Sequence, residues 1–190
     1  MCEVVPLQGV SIVLARTALA SARAKARLQV ELAKGETAFL PTAPSSNLGR
    51  KEAITWTMLN QSALIKRLLA VRGAAQVSAQ VFVSEQILKP EAGESWLRGQ
   101  ARRRARRIEQ RTLAMDMLDR AAHGLPSLAM GQRELVNSAA LDLLVPRTSV
   151  DNVRDRLAER LNECAQDCAV AGPLPVYGFS DLSGAPCKTI

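Results

Sequence analysis

The sequence predicts an α+β fold, with helices set against one face of an antiparallel sheet. Three observations predict it. Residues 76–83 alternate, with Val77, Ala79, Val81 and Val83 on one face and Gln76, Ser78 and Gln80 on the other, the mark of a half-buried strand. Two later segments carry helical periodicity, one ending at Ala122 and one running from Ser149 to about Gln166. Strand patterns lie between and after them, so the order from Gln76 is strand, helix, strand, strand, helix, strand. That βαββαβ order is the ferredoxin-like split plan. The chain has 190 residues, enough for one domain or two small ones. Hydrophobic residues make up 47% but aromatics only 3%, so the core is to be built from Ala, Val and Leu.

Taken in order, Val10 to Ala15 is a short apolar run read as a buried strand. Thr17 to about Ala33 is rich in Ala, Leu, Arg and Lys, all strong helix formers, and Gly35 is a suitable stop. Thr37 to Pro41 reads as a short extended piece, and Pro41 to Gly49 as a loop. Lys51 to Val71 reads as one helix, with Ile54, Met58, Ile65 and Leu68 near one face and Gly73 at its end. These elements give a smaller α+β unit over residues 1–73, packed against a ferredoxin-like unit over 74–182, with 183–190 as a tail.

In the second unit, Lys89 to Gly93 is a break and Ser95 could cap a helix that runs to about Ala122. Leu97, Ala101, Ala105, Ile108, Met115 and Ala122 keep helical spacing along one stripe. Gly124 and Pro126 stop this helix. Ser127 to Met130 reads as a short strand with Gly131 as its turn. Leu135 to Val145 is the next strand, with Ala139, Leu141, Leu143 and Val145 on one face and Asp142 on the other. Ser149 is a natural N-cap, and Asp151 sits in the first turn, where the helix dipole favours it. Val150, Val153, Leu157, Leu161, Cys164 and Cys168 recur at intervals of three or four, which places both thiols in the core. Ala169 to Ala171 closes the sheet. Two prolines then give Gly172 to Phe179 a stiff extended path, with Tyr177 and Phe179 on the same side. This segment either packs across its own sheet or offers a docking edge to another chain.

Chemistry is hard to find in these residues. Of the four cysteines (Cys2, Cys164, Cys168 and Cys187), only Cys164 and Cys168 are close in sequence. The chain has one histidine, too few for a tetrahedral zinc site of the usual spacing. Nothing forms a disulfide framework, so a reducing cytoplasm is expected. The N-terminus shows no signal-peptide pattern and no apolar run long enough to span a membrane. His123, at the end of the long helix, suits capping better than catalysis. Asp151, Asp155, Glu159 and Glu163 alternate with arginines and read as a solvated face. No Gly-x-Ser-x-Gly, Walker A or GxGxxG motif is present, so no catalytic, cofactor or metal residue is assigned and no small-molecule substrate is expected.

The net charge of +7 suggests an acidic partner, a nucleic acid, or simply solubility. Arg98, Arg102, Arg103, Arg104, Arg106, Arg107 and Arg111 crowd the first half of the long helix. Arg102, Arg103, Arg106 and Arg107 are candidate partner-binding residues, together with Pro173, Pro175, Tyr177 and Phe179 of the tail. The run could be a solvated face, a surface for an acidic protein, or an RNA-binding helix spanning Arg98 to Arg111. Only Trp96 offers a stacking ring beside it, which argues against RNA.

Several motifs together resemble the gas vesicle protein F/L family. The strand Asn137 to Val145 with Pro146-Arg147 resembles that family's "NxAFLV" strand. The closing Gly172-Pro173-Leu174-Pro175-Val176-Tyr177-Gly178-Phe179 is similar to its terminal Gly-Pro-Trp-Pro-Pro-Tyr-Ser-Phe, with Leu174, Val176 and Gly178 as the departures. Phe39-Leu40-Pro41 resembles its "LPxRFG" region without the arginine and the glycine-phenylalanine. Gly73 with the strand Val77 to Val83 resembles "G-x-x-E-x-x-x-x-V", with Gln76 in the acidic position. Gly93-Glu94-Ser95-Trp96-Leu97 resembles the "G-x-x-Y-L-x-R-R" start of the long helix. The series runs in family order from Phe39 to Leu182 and departs most before Phe39, where the family has a longer N-terminal domain. The resemblance implies a ferredoxin-like C-terminal domain and a non-enzymatic role as an accessory or assembly protein of gas vesicles. It also implies contact with the major shell protein and other assembly proteins, located in the cytoplasm or at the vesicle.

Overall fold

The computed structural model describes residues 2–15, 22–34, 38–41, 49–83, 96–165 and 167–179. The chain opens with a hairpin of β1 (Cys2–Leu7) and β2 (Val10–Ala15), followed by α1 (Ala22–Ala33), α2 (Arg50–Leu59) and α3 (Gln61–Ala70). Then come β3 (Ala74–Phe82), α4 (Trp96–Ala122), β4 (Ala129–Leu135), β5 (Ser138–Pro146), α5 (Val150–Cys164) and β6 (Cys168–Leu174). The four later strands form one antiparallel sheet in the order β4-β5-β3-β6. Read from β6, the strands of the βαββαβ run stand fourth, first, third, second, the ferredoxin-like arrangement that the pattern predicts.

Why the sheet forms follows from its alternation. Val77, Ala79 and Val81 of β3 and Ala139, Leu141, Leu143 and Val145 of β5 point to one face, as expected. There they meet Ala114, Leu118, Ala121 and Ala122 of α4 and Val150, Val153, Leu157 and Leu161 of α5. Fully burying a Leu or Val stabilises the fold by about 1.5–3 kcal/mol per side chain, so this layer supplies most of the driving force. The sheet is not open on its other side. Val71, Ala74, Ala129, Leu144, Val176 and Phe179 make a second, smaller core there, with Ala38 and Leu40 against it. Hence β5 is buried along nearly its whole length on both faces.

Several expectations are corrected. β1 is missed by a reading that starts at Val10, because Pro6 interrupts its pattern. Both strands of a two-stranded sheet are edges, where proline is tolerated, and Pro6 pairs with Ser11. Gln8-Gly9 makes the two-residue turn, with Gly9 at φ 79°, a conformation that favours glycine. The helix expected over Lys51 to Val71 is two helices. Asn60 lies between them at φ −106°, ψ 11°, and its amide donates to the Trp56 carbonyl at 2.8 Å, competing with the helical ladder. Ala38 to Pro41 carry no strand but pack as irregular chain.

Gly131 is not a turn. It lies mid-strand in β4 opposite Asp142, and the hairpin turns at Val136-Asn137, where Leu135 pairs with Ser138. Ser149 makes no side-chain cap; a one-turn 3-10 helix, Arg147–Ser149, leads into α5 instead. β6 is longer than Ala169 to Ala171 and carries a bulge, since Gln76 faces Leu174 while Ser78 faces Ala171. The Gly172–Pro173 bond within it is cis. Thr17 to Ser21, Gly35 to Thr37, most of the loop over 42–48, the break at Lys89 to Gly93, Ser95, Gln166 and the tail 183–190 lie outside the described residues.

The segments before β3 are held by specific bonds. The Arg147 amide donates to the Gly73 carbonyl at 3.0 Å, and its guanidinium to the Lys34 carbonyl at 3.3 Å. The Gln61 side chain donates to the Gln8 carbonyl, which fixes the hairpin to α3.

Candidate functional site

Two places hold the residues that the sequence singles out: the sheet face under the C-terminal segment, and the first half of α4. The first is built on Asp142. Its side chain is 1% exposed, on a strand whose other residues, Ser138 apart, are apolar. Burying a carboxylate is costly unless donors surround it. Here Oδ2 accepts from Arg133 Nε at 2.7 Å. Oδ1 accepts from Ser78 Oγ at 2.6 Å, Gln76 Nε2 at 2.8 Å and Arg133 Nη2 at 3.1 Å. Strand register explains the convergence. Ser78 lies directly across from Asp142, and Gln76 and Arg133 lie on the diagonals, which are within reach of long side chains. Gly131 lies directly across from Asp142 on the β4 side, with open space beside its Cα.

The C-terminal segment closes over this cluster. Gln76 Oε1 accepts from the Gly178 amide at 2.8 Å, so one glutamine bridges Asp142 and the tail. Pro175, Val176 and Phe179 are buried. Tyr177 is half-buried, and its hydroxyl donates to Gln29 Oε1 of α1 at 2.7 Å. Burial pushes its phenol pKa above the usual value. The segment is not extended to its end, because Tyr177–Phe179 form one 3-10 turn. With three residues per turn, Tyr177 and Phe179 leave on different sides, not the same one. Of the candidate tail residues, Pro175 and Phe179 are thus taken up inside this chain, Tyr177 links it to α1, and Pro173 is exposed on β6.

The second place is different in kind. α4 has 27 residues, about 40 Å at 1.5 Å per residue. Its buried residues are Ala114, Leu118, Ala121 and Ala122, all in the second half. The expected stripe does not reach the core along its length. Leu97, Ala101, Ala105 and Ile108 are exposed, because the sheet underlies only the second half and the core strip is rotated roughly a third of a turn from them. Arg103 and Arg106 are exposed, and Arg102 and Arg107 half-buried. The structure therefore does not bring the arginine run and the tail residues into one site.

The remaining groups are structural. The C-terminal carbonyls of α4 are capped by Arg160, whose Nη1 donates to the Ala121 carbonyl at 2.9 Å and to the His123 carbonyl at 2.7 Å. His123, expected in that role, is exposed, and a guanidinium from α5 serves the helix end instead. Gly124, at φ 70°, makes the turn that follows. Cys164 is exposed, against the expectation of a core thiol, whereas Cys168 is half-buried and packs against the main core. α5 ends at Cys164, Ala165 takes the place against the core, and Cys168 belongs to β6. Burial, and then the charges of Cys164 and Asp167, push the Cys168 thiol above its usual pKa. Arg154 donates to Asp155 and Asp151, both at 2.8 Å, and these partners hold its pKa above the ordinary value, the Asp155 hydrogen bond first.

Sequence reasoning missed the Asp142 cluster, Gly178 and Arg160. The one available signal was Asp142 itself, an acid inside an apolar strand pattern. Chemically the cluster is closed, since both carboxylate oxygens are occupied by donors and no general base is left free. Among the described residues, no group of three or more His, Cys, Asp or Glu could hold a metal ion, and no helix is long and apolar enough to cross a membrane.

A ferredoxin-like sheet with helices on one face and a C-terminal segment strapped over the other places the chain among α+β proteins of this build. Two solved structures share it across nearly the whole chain. Gas vesicle protein GvpF from Anabaena sp. PCC7120 matches with a TM-score of 0.65 at 11% identity, covering 95% of this chain and 88% of that one. GvpF from Microcystis aeruginosa matches with a TM-score of 0.68 at 12% identity, with the same coverage. The chain has the fold of these GvpF proteins. No protein-family model matches the sequence, and no curated protein matches it significantly.

Proposed function

We propose that this chain is a gas vesicle protein of the F/L family, an accessory protein of vesicle formation that works by binding other proteins rather than by catalysis. The observation that carries the reading is the agreement of two independent signals. The fold of GvpF extends over 95% of the chain, and the ordered motif series ends in the Gly172 to Phe179 segment. A fold hosts many functions, so the motifs carry the functional part. The site geometry supports the same reading, because the one buried carboxylate cluster is saturated by its own donors and serves to lock the C-terminal segment. The expected partners are the major vesicle shell protein and other vesicle assembly proteins. The expected location is the cytoplasm or the vesicle surface. We further propose the division at residue 73, with the smaller unit and the ferredoxin-like unit each contributing to those contacts.

The test is twofold. Purified chain is used to pull down the shell protein and the other vesicle proteins from a vesicle-forming host, and a deletion strain is scored for vesicles. Capture of a vesicle component together with loss or malformation of vesicles supports the reading. Intact vesicles in the deletion strain, with no component captured, overturn it.

A further inference from the structure

We propose that the first half of α4, Trp96 to Arg111, is a docking arm for an acidic amphipathic helix of a partner protein. The inference rests on the reading above that the chain works through protein contacts, and it specifies the chemistry of the partner. Three observations meet on this segment. No side chain of α4 is fully buried before Ala114, and residues 103–106 form a wholly exposed turn. Leu97, Ala101, Ala105 and Ile108 follow one another at steps of four, four and three, which keeps them on one strip roughly 17 Å long. All four are exposed, Leu97 at 72% and Ile108 at 48%. The two alanines between the larger residues allow a second helix backbone to approach closely.

Charge then selects the partner. Between Trp96 and Arg111 the sequence has seven arginines and one carboxylate, Glu109; Arg111 pairs with Glu134 of β4 at 3.7 Å, and the charge offered to a partner is that of Arg103, Arg104 and Arg106. Arg103, Arg104 and Arg106 are exposed, and Arg104 borders the apolar strip. A helix with its own apolar strip flanked by Glu or Asp would bury Leu97 and Ile108 and place carboxylates beside these guanidinium groups. Like-charged or uncharged helices would leave the arginines crowded together. A nucleic acid would use the charge but not the strip, and Trp96 is the one ring near it for stacking.

Trp96 also supplies the reporter. The chain has two tryptophans, and the Trp56→Phe variant leaves Trp96, 74% exposed, as the sole indole. The probe is a synthetic peptide of about three heptads with Leu in the core positions and Glu on the flanks, compared with its scrambled isomer and with oligouridine RNA. The expected result at physiological salt is a saturable blue shift with the amphipathic peptide alone. Arg103→Glu/Arg104→Glu/Arg106→Glu should weaken binding about tenfold or more, and Leu97→Ser/Ile108→Ser about tenfold. Neither variant should shift the unfolding midpoint, because all five side chains are exposed. Equal binding of the scrambled peptide or of RNA overturns the proposal in favour of a polyanion site. So does indifference to the Leu97/Ile108 change, or no binding at all. The two readings fail separately. Peptide binding by a chain whose deletion leaves vesicles intact upholds the arm and sinks the vesicle role, and the reverse pattern does the opposite.

Discussion

Gly178→Ala is the sharpest test of the C-terminal lock. A Cβ built on Gly178 would stand 2.7 Å from Asp142 Oδ2 and 3.1 Å from its Cβ and Cγ. The carboxylate cannot retreat cheaply, since Arg133, Ser78 and Gln76 hold it and it is 1% exposed. Either the tail lifts and the Gly178 bond to Gln76 stretches, or the Asp142 cluster is distorted. Overpacking of this kind costs about 1–3 kcal/mol. Against it stands a gain of about 0.4–1 kcal/mol, because alanine restricts the unfolded chain and Gly178 is not at positive φ. The net expectation is a loss of about 0–2.6 kcal/mol, or up to roughly 10 °C in Tm for a chain of this size. The control is Gly131→Ala. Nothing lies within 4 Å of its would-be Cβ and it is not at positive φ, so it should show the gain alone, about 0.4–1 kcal/mol. Urea unfolding followed by circular dichroism reads both. A Gly178→Ala protein stabilised as much as the Gly131→Ala control would refute the packing of the tail on Asp142.

Three other perturbations probe the same frame. Arg133→Ala strips the main counter-charge from a buried carboxylate and should cost about 2–4 kcal/mol by urea unfolding, whereas Arg103→Ala on the exposed arm should stay within about 0.5 kcal/mol. Arg160→Ala uncaps α4 by removing the guanidinium that serves two carbonyls, at a cost of about 1–2 kcal/mol in the same assay. Tyr177 is the chain's single tyrosine, so ultraviolet absorbance titrates it alone. In the native protein its phenol should ionise above the value found in urea, since burial raises its pKa. A folded pKa above the unfolded one gives stability that is present below the unfolded value. That stability is lost as the pH rises through the folded one, so it should fall in the range above about 10. Coincident native and denatured titrations would show that the ring is not shielded.

What the sequence made legible was whatever is local. β3, β5 and α5 each bury a face whose spacing matches their own period, so Val77 to Val81, Ala139 to Val145 and Val150 to Leu161 can be assigned to the core by counting. What stayed hidden depends on distant partners. β1 looks broken at Pro6 until the strand is known to be an edge. Gly131 looks like a turn until its pairing with Asp142 places it mid-strand. The α4 stripe counts correctly as a helix face, but periodicity cannot say how far the sheet beneath it extends. Tyr177 was legible as a member of a motif, while its bond to Gln29 crosses 148 residues and leaves no trace in either neighbourhood. Cys164 fits the count of the α5 stripe and misses the core because the helix ends there.

The lock on Gly178 also sets an order of events. The amide that closes on Gln76 comes 102 residues after it, and Tyr177 reaches back further still to Gln29. During synthesis α1, β3 and the whole β4–β5 hairpin leave the ribosome before the segment that covers them. Until Phe179 emerges, Asp142 and its donors face water and Leu144 and Ala129 lack their cover. A nascent chain arrested before Pro173 should therefore be readily cut by protease within the sheet, and one released past Phe179 should resist. Completion of this fold is signalled from its far end.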